Sequence, residues 1–157
     1  MNMLKGMVLG FIAGIIAYVT FHEIVNAIFN HEGVWTGWGR PSWDLSPNAN
    51  GVPFLASGAL VGGAWGALFP LLFGSMPKGP LTIKGLIYGL IGPAFLGAMI
   101  IYPLAMQYSP QYEGLAQGIF LDGQASAIVP TLAKYAAFGA SLGWLYGFFA
   151  YKRLPGC

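Results

Sequence analysis

Long apolar stretches alternate with short polar ones along this chain, and four of them are long enough to matter. They run from about Leu4 to Phe29, Val52 to Phe73, Leu81 to Gln107 and Pro130 to Tyr151. A helix needs roughly 20 mostly apolar residues to cross a bilayer, and each stretch supplies them. The pattern predicts an all-α membrane protein, a four-transmembrane-helix bundle forming one domain over residues 1–157. The first run is too long for a signal-peptide core, and no small-residue cleavage site follows it, so it reads as an uncleaved anchor. Pro53 and Pro130 fall at the first turn of the second and fourth spans, where a missing N–H costs little. Pro93 and Pro103 fall inside the third, which predicts a kink there. The segment "GSMPKGP" between the second and third spans reads as a tight turn.

Within the apolar stretches a second pattern recurs at every fourth position. The spans carry Gly6, Gly10 and Gly14; Gly58, Gly62 and Gly66; Gly85 and Gly89, with Pro93 next in step; and Gly139, Gly143 and Gly147. Residues four apart share one helix face, so each helix has a groove without side chains. Lipid supplies little hydrophobic drive between helices, and close backbone contact at small residues takes its place. Gly10, Gly14, Gly62, Gly66, Gly89, Gly143 and Gly147 are the expected helix-packing positions. "LKGMVLGFIAG" and "IKGLIYGLIGP" align Gly10 with Gly89, an offset of 79, and the even spans align Gly62 with Gly143, an offset of 81. Two parallel repeats of a helical hairpin follow, one over residues 4–73 and one over 81–151. A pseudo-twofold axis along the membrane normal relates them.

The segments "GGAWGALFPLLFGSMPKGPLTIKGLIYG", "LKGMVLGFIAG" and "FGASLGWLYG" resemble a family of small bacterial four-helix inner-membrane proteins, known as a domain of unknown function. The resemblance covers all four spans and implies the same architecture in a bacterial inner membrane. Where that family often carries histidine near the start of the second and fourth helices, this chain has Ser57 and Tyr135.

Composition narrows the picture. Of the 157 residues 56% are hydrophobic and only 8% charged, and the mean hydropathy is +0.64. A chain this short cannot enclose so much apolar surface in its own core, so its solvent is the lipid bilayer. The single cysteine, Cys157, excludes an internal disulfide and any cysteine-based metal site. A net charge of +2 is too small and scattered for nucleic acid.

The charges also give a direction. Lys5, Lys78, Lys84, Lys152 and Arg153 lie at the termini or in the central turn, whereas all the acids lie toward the two longer loops. The basic side faces the cytoplasm, so both termini are expected there. The outer loops are residues 30–51 and 108–129. The first holds Trp35, Trp38 and Trp43 and reads as a lid across the bundle end, with a binding platform as the sharper alternative. In the second, Leu115, Ile119 and Phe120 are spaced for one face of a short interfacial helix.

Few residues could carry chemistry. "FHEIVNAIFNHEGV" supplies His22, Glu23 and Asn26 within the first span, and Lys134 lies in the fourth. Ionisable groups inside a span are costly and face protein or water. Glu23 and Lys134 sit at matching depths, each nine residues from a glycine of the grid, roughly 13 Å at 1.5 Å per residue. They are expected to pair. The cluster can be a structural ion pair, a small polar binding pocket, or a metal site using His22, Glu23 and His31. No helical His-x-x-x-His pair supports the last, and no metal or other cofactor is expected. No nucleophile–base pair or nucleotide loop is present, so the chain is not expected to be an enzyme. The expected role is an accessory or scaffold subunit packing through its glycine faces in a homo-oligomer or larger membrane complex. A small oligomeric channel or transporter with an outer polar pocket is the alternative.

Overall fold

The computed structural model describes residues 2–31, 41–48, 50–73, 80–108 and 118–151. These residues form four helices: α1 (Met3–His31), α2 (Phe54–Phe73), α3 (Leu81–Gln107) and α4 (Ala125–Tyr151). The first three are long and apolar enough to cross a membrane, consistent with a multi-pass membrane protein. No strand occurs among the described residues. Trp35, Trp38 and Leu115 lie outside them.

Helix starts follow local chemistry. Asn2 caps α1, its side-chain oxygen accepting from the Leu4 N–H at 2.8 Å. The Ser46 and Asp44 carbonyls accept the first amides of α2, from Phe54 at 3.1 Å and Leu55 at 2.9 Å, and the Pro80 carbonyl accepts from Ile83 of α3 at 3.1 Å. The fourth helix begins earlier than the apolar pattern suggests. Gln124 accepts from Ala127 and Ile128, so Pro130 lies inside the helix and is buried. Pro70 likewise lies inside α2.

The expected kink in α3 takes another form. Residues Leu90–Ile101 make a π-helical segment of 12 residues around Pro93, and α-helical geometry resumes at Tyr102–Gln107 with Pro103 in its first turn. A proline ring collides with the carbonyl one α-turn before it and offers no N–H. Widening the helix to i→i+5 bonding accommodates both defects without breaking the rod. A shorter π turn, Tyr18–His22, interrupts α1.

Two glycine crossings join the helices in pairs, α1 on α2 and α3 on α4. A Cβ placed on Gly66 would lie 2.8 Å from the Gly14 Cα, and one on Gly14 3.0 Å from the Gly66 Cα. At the other crossing a Cβ on Gly139 would lie 2.6 Å from the Gly89 Cα, and one on Gly85 2.9 Å from the Gly143 Cα. Gly10 abuts the Gly66 carbonyl, and Gly62 faces the Cβ of Tyr18. Gly147 differs: its nearest neighbour is the Leu81 side chain at 3.2 Å. The glycine faces are thus spent against one another within one chain.

Between the pairs lies an apolar core that includes Ala13, Phe69, Tyr88, Phe138, Leu142 and Tyr146. Phe69 meets Tyr88 and Tyr146 edge to face, with ring centroids 5.4 and 5.6 Å apart. Helix α4 is the most enclosed: from Phe138 to Gly147 only Ala140 and Trp144 are not buried. Large apolar side chains such as Val8, Ile12, Leu60, Leu68 and Ile91 point outward.

Before α4 the chain makes one tight turn, Ile119–Gly123. Phe120, Leu121 and Asp122 all take left-handed φ values of 54–58°, and both Asp122 carboxylate oxygens accept the Gly118 N–H at 3.1 Å. Of the interfacial helix expected here, the described part, Ile119–Gly123, is a left-handed turn. Ile119 and Phe120 stay exposed, while Leu121 is the buried residue, packed with Met99 and Ala127.

Candidate functional site

The polar residues singled out in the sequence come together at the end of α1. The π turn Tyr18–His22 runs directly into Glu23, and His22, Glu23 and Asn26 are only 4%, 6% and 6% exposed. An extra residue in the turn shifts the phase of the helix, which lets neighbours in sequence both face the bundle interior.

Several of their hydrogen bonds run to a segment outside the helices. His22 Nδ1 lies 3.0 Å from Glu23 Oε1. With Glu23 ionised its carboxylate only accepts, and that contact then requires the tautomer with the proton on Nδ1. The other carboxylate oxygen, Oε2, accepts the backbone N–H of Trp43 at 2.9 Å. The Trp43 indole N–H donates to the Val19 carbonyl, inside the π turn, at 2.8 Å. Asn26 Nδ2 donates to Ser42 Oγ at 3.0 Å. Ser42 and Trp43 are thereby strapped over the cluster at three points, while Asp44, Ser46 and Asn48 tie the following residues to the start of α2. Trp43 holds φ 55°, a left-handed backbone that tryptophan rarely adopts.

Aromatic rings enclose His22. Tyr18 stacks on it with centroids 4.3 Å apart and an interplanar angle of 17°, and Tyr135 of α4 leans against it at 5.2 Å. Lys134, beside Tyr135, reaches the cluster through Asn26: its Nζ donates to Asn26 Oδ1 at 3.4 Å. The hydrogen bond of Lys134 thus goes to Asn26 rather than to Glu23, and the two expected partners interact through space across that amide. The contacts to the Glu23 carboxylate come from a ring on its own helix and an amide of the strap. Among the described residues no three His, Cys, Asp or Glu side chains are close enough to share a metal ion. His31 lies nine residues beyond His22, roughly 13 Å further along the helix.

A second polar group sits deeper, between α2 and α3. Trp65 Nε1–H donates to Tyr102 Oη at 3.0 Å, and Tyr88 Oη–H donates to the Trp65 carbonyl at 2.7 Å. Gly92 and Gly97 of the π segment make room for the indole: a Cβ on either would lie 3.3 or 3.1 Å from its ring.

His22, Glu23, Asn26 and Lys134 were legible as candidates because each is a polar intruder in an apolar span. Tyr18 and Ser42 carry no signal in the sequence, and Tyr135 is marked there only by standing near a position where the resembled family often has histidine. A tyrosine in a membrane helix is unremarkable in sequence, although Tyr135 adjoins Lys134. The link from Ser42 and Trp43 back to α1 depends on how the chain returns, for which no local pattern exists. The assembled group gathers hydrogen-bond donors and acceptors at one end of the bundle. Compared with known protein families, characterised proteins and solved structures, the chain matches none.

Proposed function

We propose that this chain is a non-catalytic subunit of the bacterial inner membrane, an accessory or scaffold component of a homo-oligomer or larger complex. The observation that supports it is the pair of backbone-to-backbone glycine crossings around one aromatic core, which makes a rigid apolar body with large side chains outside. Because the glycine faces are consumed internally, partners would meet the outward faces, including Val8 and Ile12 on α1 and Leu60 and Leu68 on α2. In this reading α4 is the fourth span, its polar Thr131, Lys134 and Ser141 turned inward by the other three. Both termini are cytoplasmic and the strap lies outside, as the basic residues suggest.

The two crossings also favour a repeated hairpin, in a register different from the sequence alignment. Gly66 meets Gly10 and Gly14 as Gly139 meets Gly85 and Gly89. By contacts, then, Gly10 corresponds to Gly85 and Gly66 to Gly139, offsets of 75 and 73. Compared with 79 and 81, one helix has slid by one turn and the other by two.

Native mass spectrometry from gentle detergent tests the scaffold role. A defined oligomer or a co-purifying membrane partner is expected; a monomer without partners would remove the proposal. A pocket-bearing transporter is the second reading, favoured by the burial of His22, Glu23 and Asn26 beneath a strap held by replaceable hydrogen bonds.

A further inference from the structure

The strap fills the polar cluster the way a ligand would. From two adjacent residues it presents an N–H donor to the Glu23 carboxylate and a hydroxyl acceptor to the Asn26 amide, beside the Lys134 ammonium. Ser42 Oγ and Trp43 N are joined by a short run of covalent bonds. An ammonium nitrogen and the phosphate oxygens of a phosphoethanolamine group are joined in much the same way. Such a headgroup offers a stronger donor to Glu23, a full positive charge with N–H bonds. It also offers a stronger acceptor to Asn26 and Lys134, an anionic oxygen.

The closed strap is not at ease. Trp43 keeps a left-handed backbone that costs a non-glycine residue energy, and such strain persists only where surrounding contacts hold it, commonly at clamps and switches. Its holding contacts include the Glu23 carboxylate and the Val19 carbonyl.

We propose that Ser42 and Trp43 are the displaceable part of the strap, over a binding site for a phosphoethanolamine headgroup, with Glu23 receiving the ammonium and Asn26 and Lys134 the phosphate. This inference rests on the membrane reading and not on the scaffold role, so a monomeric chain could still bind. The headgroup could belong to a lipid of the surrounding bilayer or to a soluble ester. A choline headgroup should not serve, because its quaternary nitrogen has no N–H for the carboxylate.

Amide hydrogen exchange on the full chain in nanodiscs reads the strap directly. In phosphatidylcholine discs the Trp43 amide should be protected. Adding phosphatidylethanolamine to the discs, or glycerophosphoethanolamine to the buffer, should speed its exchange about tenfold or more, the scale of a lost hydrogen bond to a charged group. Acceleration by the lipid alone identifies the bilayer as the source. Acceleration by the soluble ester alone identifies the aqueous phase, and acceleration by both means that the site admits either. Glu23→Gln keeps an oxygen for the Trp43 N–H but loses the charge, so its strap should stay closed and unresponsive. Equal exchange in all wild-type conditions, equal opening by glycerophosphocholine, or an undiminished response in Glu23→Gln would overturn the proposal. Should the variant fail to fold, the wild-type comparison among headgroups still decides.

Discussion

Single atoms set the tolerances of this bundle. At Gly66 and Gly139 the added methyl of alanine would sit 2.8 and 2.6 Å from a Cα across the helix crossing, where backbone cannot yield as a side chain does. Gly66→Ala and Gly139→Ala should each cost about 1–3 kcal/mol, the scale of overpacking. Gly147→Ala, which meets only the Leu81 side chain at 3.2 Å, should cost clearly less. Reversible unfolding in mixed micelles would rank the three, and an equal loss at Gly147 would mean that the crossings are not where the bundle is tight. Tyr146 makes the opposite case. Its hydroxyl is a buried side-chain polar atom without a hydrogen-bond partner among the described residues. Removing an unsatisfied group relieves desolvation, so Tyr146→Phe should be neutral or stabilising by about 1 kcal/mol in the same assay. A loss of stability would mean that the hydroxyl has a partner in the assembled protein.

At the scale of elements, the glycine grid was legible because it is strictly local: residues four apart share a face whatever the rest of the chain does. The sequence could not say which turn of one helix meets which turn of the next. Gly10 and Gly89 align well as text, yet Gly10 lies on Gly66 and Gly89 on Gly139, so the contact register departs from the aligned one. The π segments were illegible for a related reason. Pro93 advertises a defect in α3, but kink and widening answer that defect equally well locally, and the neighbours decide between them. Here the indole of Trp65 rests against Gly92 and Gly97 and binds Tyr102 just beyond the segment. Restoring an N–H at that position should let the helix tighten. Pro93→Ala is expected to shift Leu90–Ile101 toward α-helical bonding, rotate Tyr102 and break its bond to Trp65 Nε1. The indole N–H resonance of Trp65 in tryptophan-labelled protein should then move upfield. An unchanged resonance would show that neighbouring contacts, not Pro93, maintain the π geometry.

For the whole molecule, the decisive measurement is orientation. With Cys157 replaced, a cysteine at Asn50 should react with an impermeant reagent in intact cells, and one at Asn2 only after the membrane is opened. The basic residues at the termini and central turn motivate that outcome. The reverse pattern would put the strap in the cytoplasm, and identical labelling at both sites would mean that α1 does not cross the membrane.

The enclosure of α4 bears on how the chain is made. A helix whose threonine, serine and lysine are tolerable only against other helices gains little from meeting lipid alone as it emerges from the ribosome. The first three helices, each long and apolar enough to cross a membrane, are synthesised before it. In that order of synthesis the surfaces that enclose α4 exist before it is made.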